Sequence, residues 1–193
     1  MQLIDVVEGV KLALNNMNKD YCSLSKLIYE NIEASDSIIK VLKKEKYLER
    51  PFAYEFYHQL RRLLDEGIVD FNGPIIQAEV DKRYQQCFEK GKIPDFIIHS
   101  PNSNRNIAII EFKLATRVKE DIREDFKKIV EFKTNSDLRY SYGIEVLIGA
   151  RNSLERCKRE INDGDTTGGE KIIIIEFNTD SWNADHSVIQ FRE

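Results

Sequence analysis

Apolar positions recur every three or four residues over the first third of the chain, the spacing of amphipathic helices. The pattern predicts one helix over residues 3–17 and a second over 23–48, with Ser23 as its candidate N-cap. Arg50-Pro51 predicts a break, because a residue before proline is disfavoured in the helical region. The same spacing then predicts a third helix from Phe52 to Gly67.

The middle of the chain changes to the alternating pattern of β-strands. Residues 75–84 alternate apolar with polar side chains, which predicts an edge strand with one wet face. Two further strands are predicted over 93–99 and 107–113, joined by a loop rich in Ser, Asn and Pro.

A second helix–strand alternation follows. Helical spacing returns over 118–135, and the apolar run over 142–150 predicts a central, parallel strand that is buried on both faces. The remaining predicted elements are a short helix over 153–161 and strands over 172–177 and 187–191. The order predicts an α/β fold with a mixed central sheet flanked by helices, divided into an N-terminal helical extension (1–50) and an α/β domain (51–193).

Composition excludes several classes of protein. The 193 residues carry a net charge of −4, and the longest apolar run, Ile172 to Ile175, is far too short to span a membrane. The first residues lack the basic and apolar regions of a signal peptide. Three cysteines without close spacing fit neither a disulfide framework nor a zinc site. We therefore expect a cytoplasmic protein with no membrane partner.

The most informative chemistry lies in two neighbouring predicted strands. Asp95 stands near the start of one strand, and Glu111 and Lys113 share a face near the end of the next. If these strands pair antiparallel, Asp95 can lie beside Glu111. Buried carboxylates at close range repel each other unless a cation separates them, and Mg²⁺ prefers such oxygen ligands. The pattern therefore indicates a candidate divalent metal site.

Two structural interpretations compete with this one. Glu111 and Lys113 can form an ion pair on a solvated strand end, which contributes little. The chain can also be an α/β structural subunit in which Asp95 and Glu111 do not face each other.

Pro94-Asp95 followed by Glu111-Phe112-Lys113 resembles the motif of the PD-(D/E)xK nuclease superfamily. The resemblance covers about half of the chain, from Phe52 to Ala150. It implies a restriction-endonuclease-like core, in which a helix, three strands, a helix and a strand follow in order. It also implies a metal-dependent nuclease that uses Mg²⁺, which Mn²⁺ may replace.

The resemblance also implies roles for individual residues. Asp95 and Glu111 would bind the metal together with the backbone carbonyl of Phe112, and Lys113 would serve the attacking water or the transition state. Many members add a glutamate from the first core helix, for which Glu55 is the candidate here. Glu79 is a reserve ligand, since some relatives draw one from this region. A solvated helix flank and a wet strand face are the structural alternatives for these two glutamates.

Nucleic acid is the expected partner, with DNA favoured over RNA. Candidate substrate-binding residues lie beside the motif and along the first core helix: Gln59, Arg62, Thr116, Arg117 and Lys119. The N-terminal helices are the natural place for a homodimer contact or a partner subunit. The alternative function is a non-catalytic module on the same fold that binds nucleic acid or another protein.

Overall fold

A computed structural model of the chain describes residues 5–22, 47–80, 93–162 and 169–191. Within these ranges the helices are α1 (Val6–Asn15), α2 (Lys19–Cys22), α3 (Glu49–Asp65), α4 (Lys119–Thr134) and α5 (Arg151–Asn162). The strands are β1 (Ile75–Ala78), β2 (Phe96–His99), β3 (Asn106–Leu114), β4 (Tyr142–Gly149), β5 (Glu170–Asn178) and β6 (Asn183–Phe191). None of the helices described is long and apolar enough to cross a membrane.

The six strands form one mixed sheet in the order β1-β2-β3-β4-β5-β6. The pairs at both ends of the sheet are antiparallel, whereas β4 runs parallel to β3 and to β5. Every residue of β4 after the first is buried. The predicted central parallel strand and the predicted edge strand at β1 are therefore confirmed, as is the α/β class.

Two hydrophobic cores cover the two faces of this sheet. Helices α1 and α3 pack on one face, where Phe56 meets Phe112 and where Val10 and Leu14 of α1 are fully buried. Helices α4 and α5 pack on the other face, against β-strand residues such as Ile109. Alternation along β3 therefore sends Glu111 and Lys113 towards α4 and Phe112 towards α3.

A glycine in β4 sets the distance between the sheet and α4. A Cβ atom at Gly143 would lie 2.3 Å from Cγ2 of Ile129 and 2.9 Å from Cδ of Lys133. Any larger residue would therefore push the helix away from the strand. The close approach brings the polar side chains of α4 within reach of β3.

The predicted start of α3 and the predicted end of β1 are wrong. Helix α3 begins at Glu49, before the predicted break, because a proline in the first turn lacks only an N–H that has no partner inside the helix. Strand β1 ends at Ala78, because Glu79 adopts a φ of 47° and its N–H donates to the carbonyl of Asp95 at 2.9 Å. Glu79 thus lies beyond the strand rather than on its polar face. The helix predicted over 23–48 and the strand end at 81–84 fall mostly or wholly outside the described residues.

Candidate functional site

Asp95 and Glu111 lie side by side, as the sequence predicts. Phe96 pairs with Ile110 in the antiparallel β2–β3 ladder, which places the preceding Asp95 opposite Glu111. The backbone N–H of Phe112 donates to Oδ2 of Asp95 at 2.7 Å and holds this carboxylate against β3. The interpretation in which the two acids do not face each other is thereby removed.

A third carboxylate extends this arrangement across the sheet. Glu145 of β4 pairs in register with Glu111 of the parallel strand β3, so that both side chains lie on the α4 face. We call Asp95, Glu111 and Glu145 the carboxylate row. Glu145 is 0% exposed, and neither of its carboxylate oxygens has a hydrogen-bond partner among the residues that the structure describes. Keeping an unpaired buried carboxylate ionised costs several kcal/mol, so such a group is protonated unless a cation compensates it.

Helix α4 contributes one aspartate and one lysine that lie over the carboxylate row. Asp125 and Lys128 are three residues apart and share the face of α4 that meets the sheet. The Nζ atom of Lys113 lies 2.7 Å from Oδ2 of Asp125, and Nζ of Lys128 lies 2.7 Å from Oε2 of Glu111. We call the row together with Lys113, Asp125 and Lys128 the ionic cluster.

Burial has the largest effect on the pKa values of three acids in the cluster: Glu111, Glu145 and Asp95. Desolvation raises the pKa of Glu111 to about 8, although Lys128 works in the opposite direction. Desolvation also raises the pKa of Glu145 well above its usual range, and the nearby charges of Asp125 and Glu111 add to the effect. The pKa of Asp95 is raised by burial too, against the hydrogen bond from Phe112.

The two lysines respond in the opposite sense. Burial alone would lower the pKa of Lys113, but its hydrogen bond and charge interaction with Asp125 outweigh burial and raise it. The pKa of Lys128 is raised in the same way, chiefly by Glu111. Both side chains are therefore ammonium ions at neutral pH, which makes Lys113 unsuited to accept a proton.

A small cavity opens beside Asp95 at the start of α3. It encloses about 190 Å³ and its walls include Glu49, Arg50, Tyr54 and Glu79. The charge of Glu49 acts on both Asp95 and Lys113, and its buried Oε2 atom has no hydrogen-bond partner. The reserve candidate Glu79 therefore borders the site, together with Glu49, a residue that the sequence did not suggest.

Glu55 lies elsewhere, so the prediction that it joins Asp95 and Glu111 is not supported by this arrangement. Its Oε1 atom accepts hydrogen bonds from Asn18 N–H at 3.0 Å and from Nε2 of Gln59 at 2.7 Å. Glu55, Gln59 and Arg62 line a separate cavity of about 540 Å³ near α2. Glu55 follows Glu49 by six residues, and at 100° per residue the two side chains leave α3 in different directions.

The remaining predicted substrate residues lie in the segment after Lys113. Thr116 and Arg117 are exposed in the turn between β3 and α4, and the N–H of Arg117 closes that turn on the carbonyl of Leu114. Lys119 is the first residue of α4. These residues therefore connect Lys113 to the beginning of α4, the helix that covers Lys113.

Four residues of the site were missed in the sequence: Glu49, Asp125, Lys128 and Glu145. A signal existed for Glu145, since it is the one charge inside an apolar run predicted to be buried on both faces. Asp125 also falls on the apolar stripe of its helix, three residues after Ile122 and four before Ile129. Glu49 had no such signal because it preceded the predicted helix.

The donor set of the site fits a hard cation. It consists of carboxylates, and buried oxygens without hydrogen-bond partners include Oε1 of Glu111 and Oε2 of Glu49. In the part of the chain that the structure describes, no three His, Cys, Asp or Glu side chains already converge as metal ligands. Lysine ammonium groups lie among the carboxylates, so a bound ion would have to rearrange these ion pairs.

Comparisons with known proteins found no match for this chain among family models, curated proteins or solved structures.

Proposed function

We propose that this chain is a metal-dependent nuclease that hydrolyses phosphodiester bonds, with DNA favoured over RNA. One observation carries the proposal. The ionic cluster gathers four carboxyl groups and only two ammonium groups in a largely buried position, and burial raises the pKa of both Glu111 and Glu145. Ionising all four acids would require a further cation, which a divalent metal would supply; in the metal-free protein, protonation removes the charge instead.

In this proposal Asp95 and Glu111 hold Mg²⁺, with the carbonyl of Phe112 as a further ligand and Mn²⁺ as a substitute. Glu49 takes the place considered for Glu55, because it borders the Asp95 cavity. The ion supplies a water of lowered pKa and neutralises charge on the phosphoryl oxygens.

Lys113 stabilises negative charge that develops on the phosphate. Its ammonium form is favoured, so it acts through its charge and its N–H donors rather than as a base. Asp125 fixes the position of this ammonium group through the 2.7 Å ion pair. Substrate phosphates approach along the exposed turn, where Thr116, Arg117 and Lys119 offer donors and positive charge.

The topology supports a restriction-endonuclease-like core. Helix α3 is followed by three antiparallel strands, helix α4 and the parallel strand β4, which is the order that the resemblance implies. A cytoplasmic location is part of the proposal and is supported by the free, buried thiols of Cys22 and Cys157.

One observation favours the alternative of a non-catalytic interaction module. Both lysines of the cluster are already paired with carboxylates. A purely structural ion network would show the same pairs, but it would not require a further buried acid at Glu145, whose carboxyl oxygens have no hydrogen-bond partner among the described residues.

Cleavage of labelled linear and circular DNA and of labelled RNA tests the proposal, with Mg²⁺, Mn²⁺ or EDTA, for the wild type and Lys113→Ala. Lys127→Gln is the matched control, because Lys127 pairs with Glu124 on the exposed side of α4. We expect metal-dependent cutting that Lys113→Ala abolishes and Lys127→Gln retains. If neither DNA nor RNA is cut with either metal, the nuclease proposal fails and the non-catalytic interaction module is the function that stands.

A further inference from the structure

Lys128 lies against Glu111, a carboxylate that the proposed function assigns to the metal. Its Nζ atom is 2.7 Å from Oε2 of Glu111 and 3.6 Å from Oδ1 of Asp125. Its charge also acts on Asp95, on the far side of Glu111. One ammonium group thus compensates three of the carboxylates in the cluster.

We propose that Lys128 is a resident counter-ion that competes with the divalent metal for Glu111. The inference rests on the proposed function, since it concerns the same metal site. Glu111 has one oxygen bound to Lys128 and one buried oxygen that no described residue contacts through a hydrogen bond. A divalent ion on the second oxygen would lie next to the ammonium group, and the repulsion between them is twice that between two single charges.

The two lysines of the cluster differ in how readily a bound metal could displace them. Lys113 is anchored on the central strand β3 and bound to Asp125. Lys128 instead extends from helix α4 and is bound to Glu111, a proposed metal ligand, and its flexible stem can carry the ammonium group away from that carboxylate. Lys128 is therefore the cation that an incoming metal displaces.

A displaced Lys128 remains close to the site and becomes available to an anion. A phosphate of the substrate is such an anion, and binding it removes the competitor from Glu111. By linkage, metal and phosphate then strengthen each other's binding through this one side chain. The lysine keeps metal affinity low in the free protein and raises it when substrate is present.

Titration of Mn²⁺ into the full chain without nucleic acid tests the inference, with calorimetric detection. Lys128→Gln is expected to bind Mn²⁺ at least about fivefold more tightly than the wild type, since a competing cation is removed. Lys127→Gln removes the same charge one residue away on an exposed pair and is expected to leave the affinity unchanged. Lys128→Arg keeps the charge and should retain the wild-type affinity.

Lys128→Met serves as a second variant if Lys128→Gln does not fold, because it keeps the apolar stem and carries the same expectation. Equal or weaker Mn²⁺ binding by the charge-removing variants, with wild-type binding intact, overturns the inference and leaves the proposed function standing. Absence of Mn²⁺ binding by the wild type and by the charge-removing variants alike overturns both.

Discussion

The backbone N–H of Phe112 donates to Oδ2 of Asp95 at 2.7 Å and ties the two halves of the motif together. Because Phe112 lies between Glu111 and Lys113, this bond fixes Asp95 relative to both. It leaves the other carboxylate oxygen of Asp95 available for a ligand. The geometry of the motif is thus built into the β2–β3 pair rather than into a loop.

Asp125→Asn should slow cleavage without removing the metal site. The amide keeps the size of the side chain but cannot form the ion pair that positions Lys113. Removing a residue that orients a site residue typically costs about 10- to 100-fold in activity. Steady-state cleavage rates would show this loss, while Glu124→Gln, at an exposed acid on the same helix, should cleave at the wild-type rate. A wild-type rate for Asp125→Asn would contradict the role given to Lys113.

Glu49→Gln and Glu55→Gln should have different effects, because only Glu49 borders the candidate site. Glu49 borders the Asp95 cavity, so its substitution is expected to weaken metal binding and cleavage. Glu55 binds Asn18 and Gln59, so its substitution should lower the melting temperature and spare cleavage. Measuring both quantities for both variants is decisive. Loss of cleavage in Glu55→Gln alone would restore the prediction made from the sequence.

The metal-free protein should lose stability as pH rises. Glu111 has a folded-state pKa of about 8, above that of an unfolded glutamate, so the folded state binds more protons between these values. Stability is therefore fully present below about pH 4.5 with respect to this group, and falls by up to about 1.4 kcal/mol per pH unit towards pH 8. Melting temperatures from pH 5 to 8.5 in EDTA should decline, and saturating Mn²⁺ should flatten the decline. A constant melting temperature in EDTA would contradict this prediction.

Glu145→Gln should stabilise the metal-free protein. Desolvation raises the pKa of the buried carboxyl, and the neutral amide avoids the cost of ionising it. Because burial raises the pKa of Glu145, the gain is expected to grow as pH rises above the ordinary range of a glutamate, and to be smaller at pH 5 than at pH 8. Urea unfolding at the two pH values measures it. Destabilisation at pH 8 would mean that an ionised Glu145 has a partner that the structure does not show.

The sequence predicts the sheet and the motif better than it predicts their surroundings. Alternation fixed the face shared by Glu111 and Lys113, and antiparallel pairing through a short loop allowed Asp95 to lie opposite Glu111. The contribution of α4 depended on how closely the helix approaches β4. That approach rests on the missing side chain of Gly143, whose spatial partner Ile129 cannot be read from local periodicity.

Glu49 illustrates a different kind of failure. A proline usually signals the end of helical structure, so the residues before Pro51 were excluded from the predicted helix. The first turn of a helix tolerates proline, and α3 therefore begins earlier and carries Glu49 to the Asp95 cavity. A shift of one helical turn was enough to change which glutamate borders the site.

Calorimetric titration of Mn²⁺ into the wild type and Asp95→Asn tests whether Asp95 and its neighbouring carboxylates bind a divalent metal. The asparagine oxygen can still accept the hydrogen bond from Phe112, so the fold should persist while a charged ligand is lost. We expect one ion per wild-type chain, and binding that is abolished or weakened at least about tenfold in Asp95→Asn, a change of about 1.4 kcal/mol. Equal Mn²⁺ binding by the two proteins would contradict this expectation.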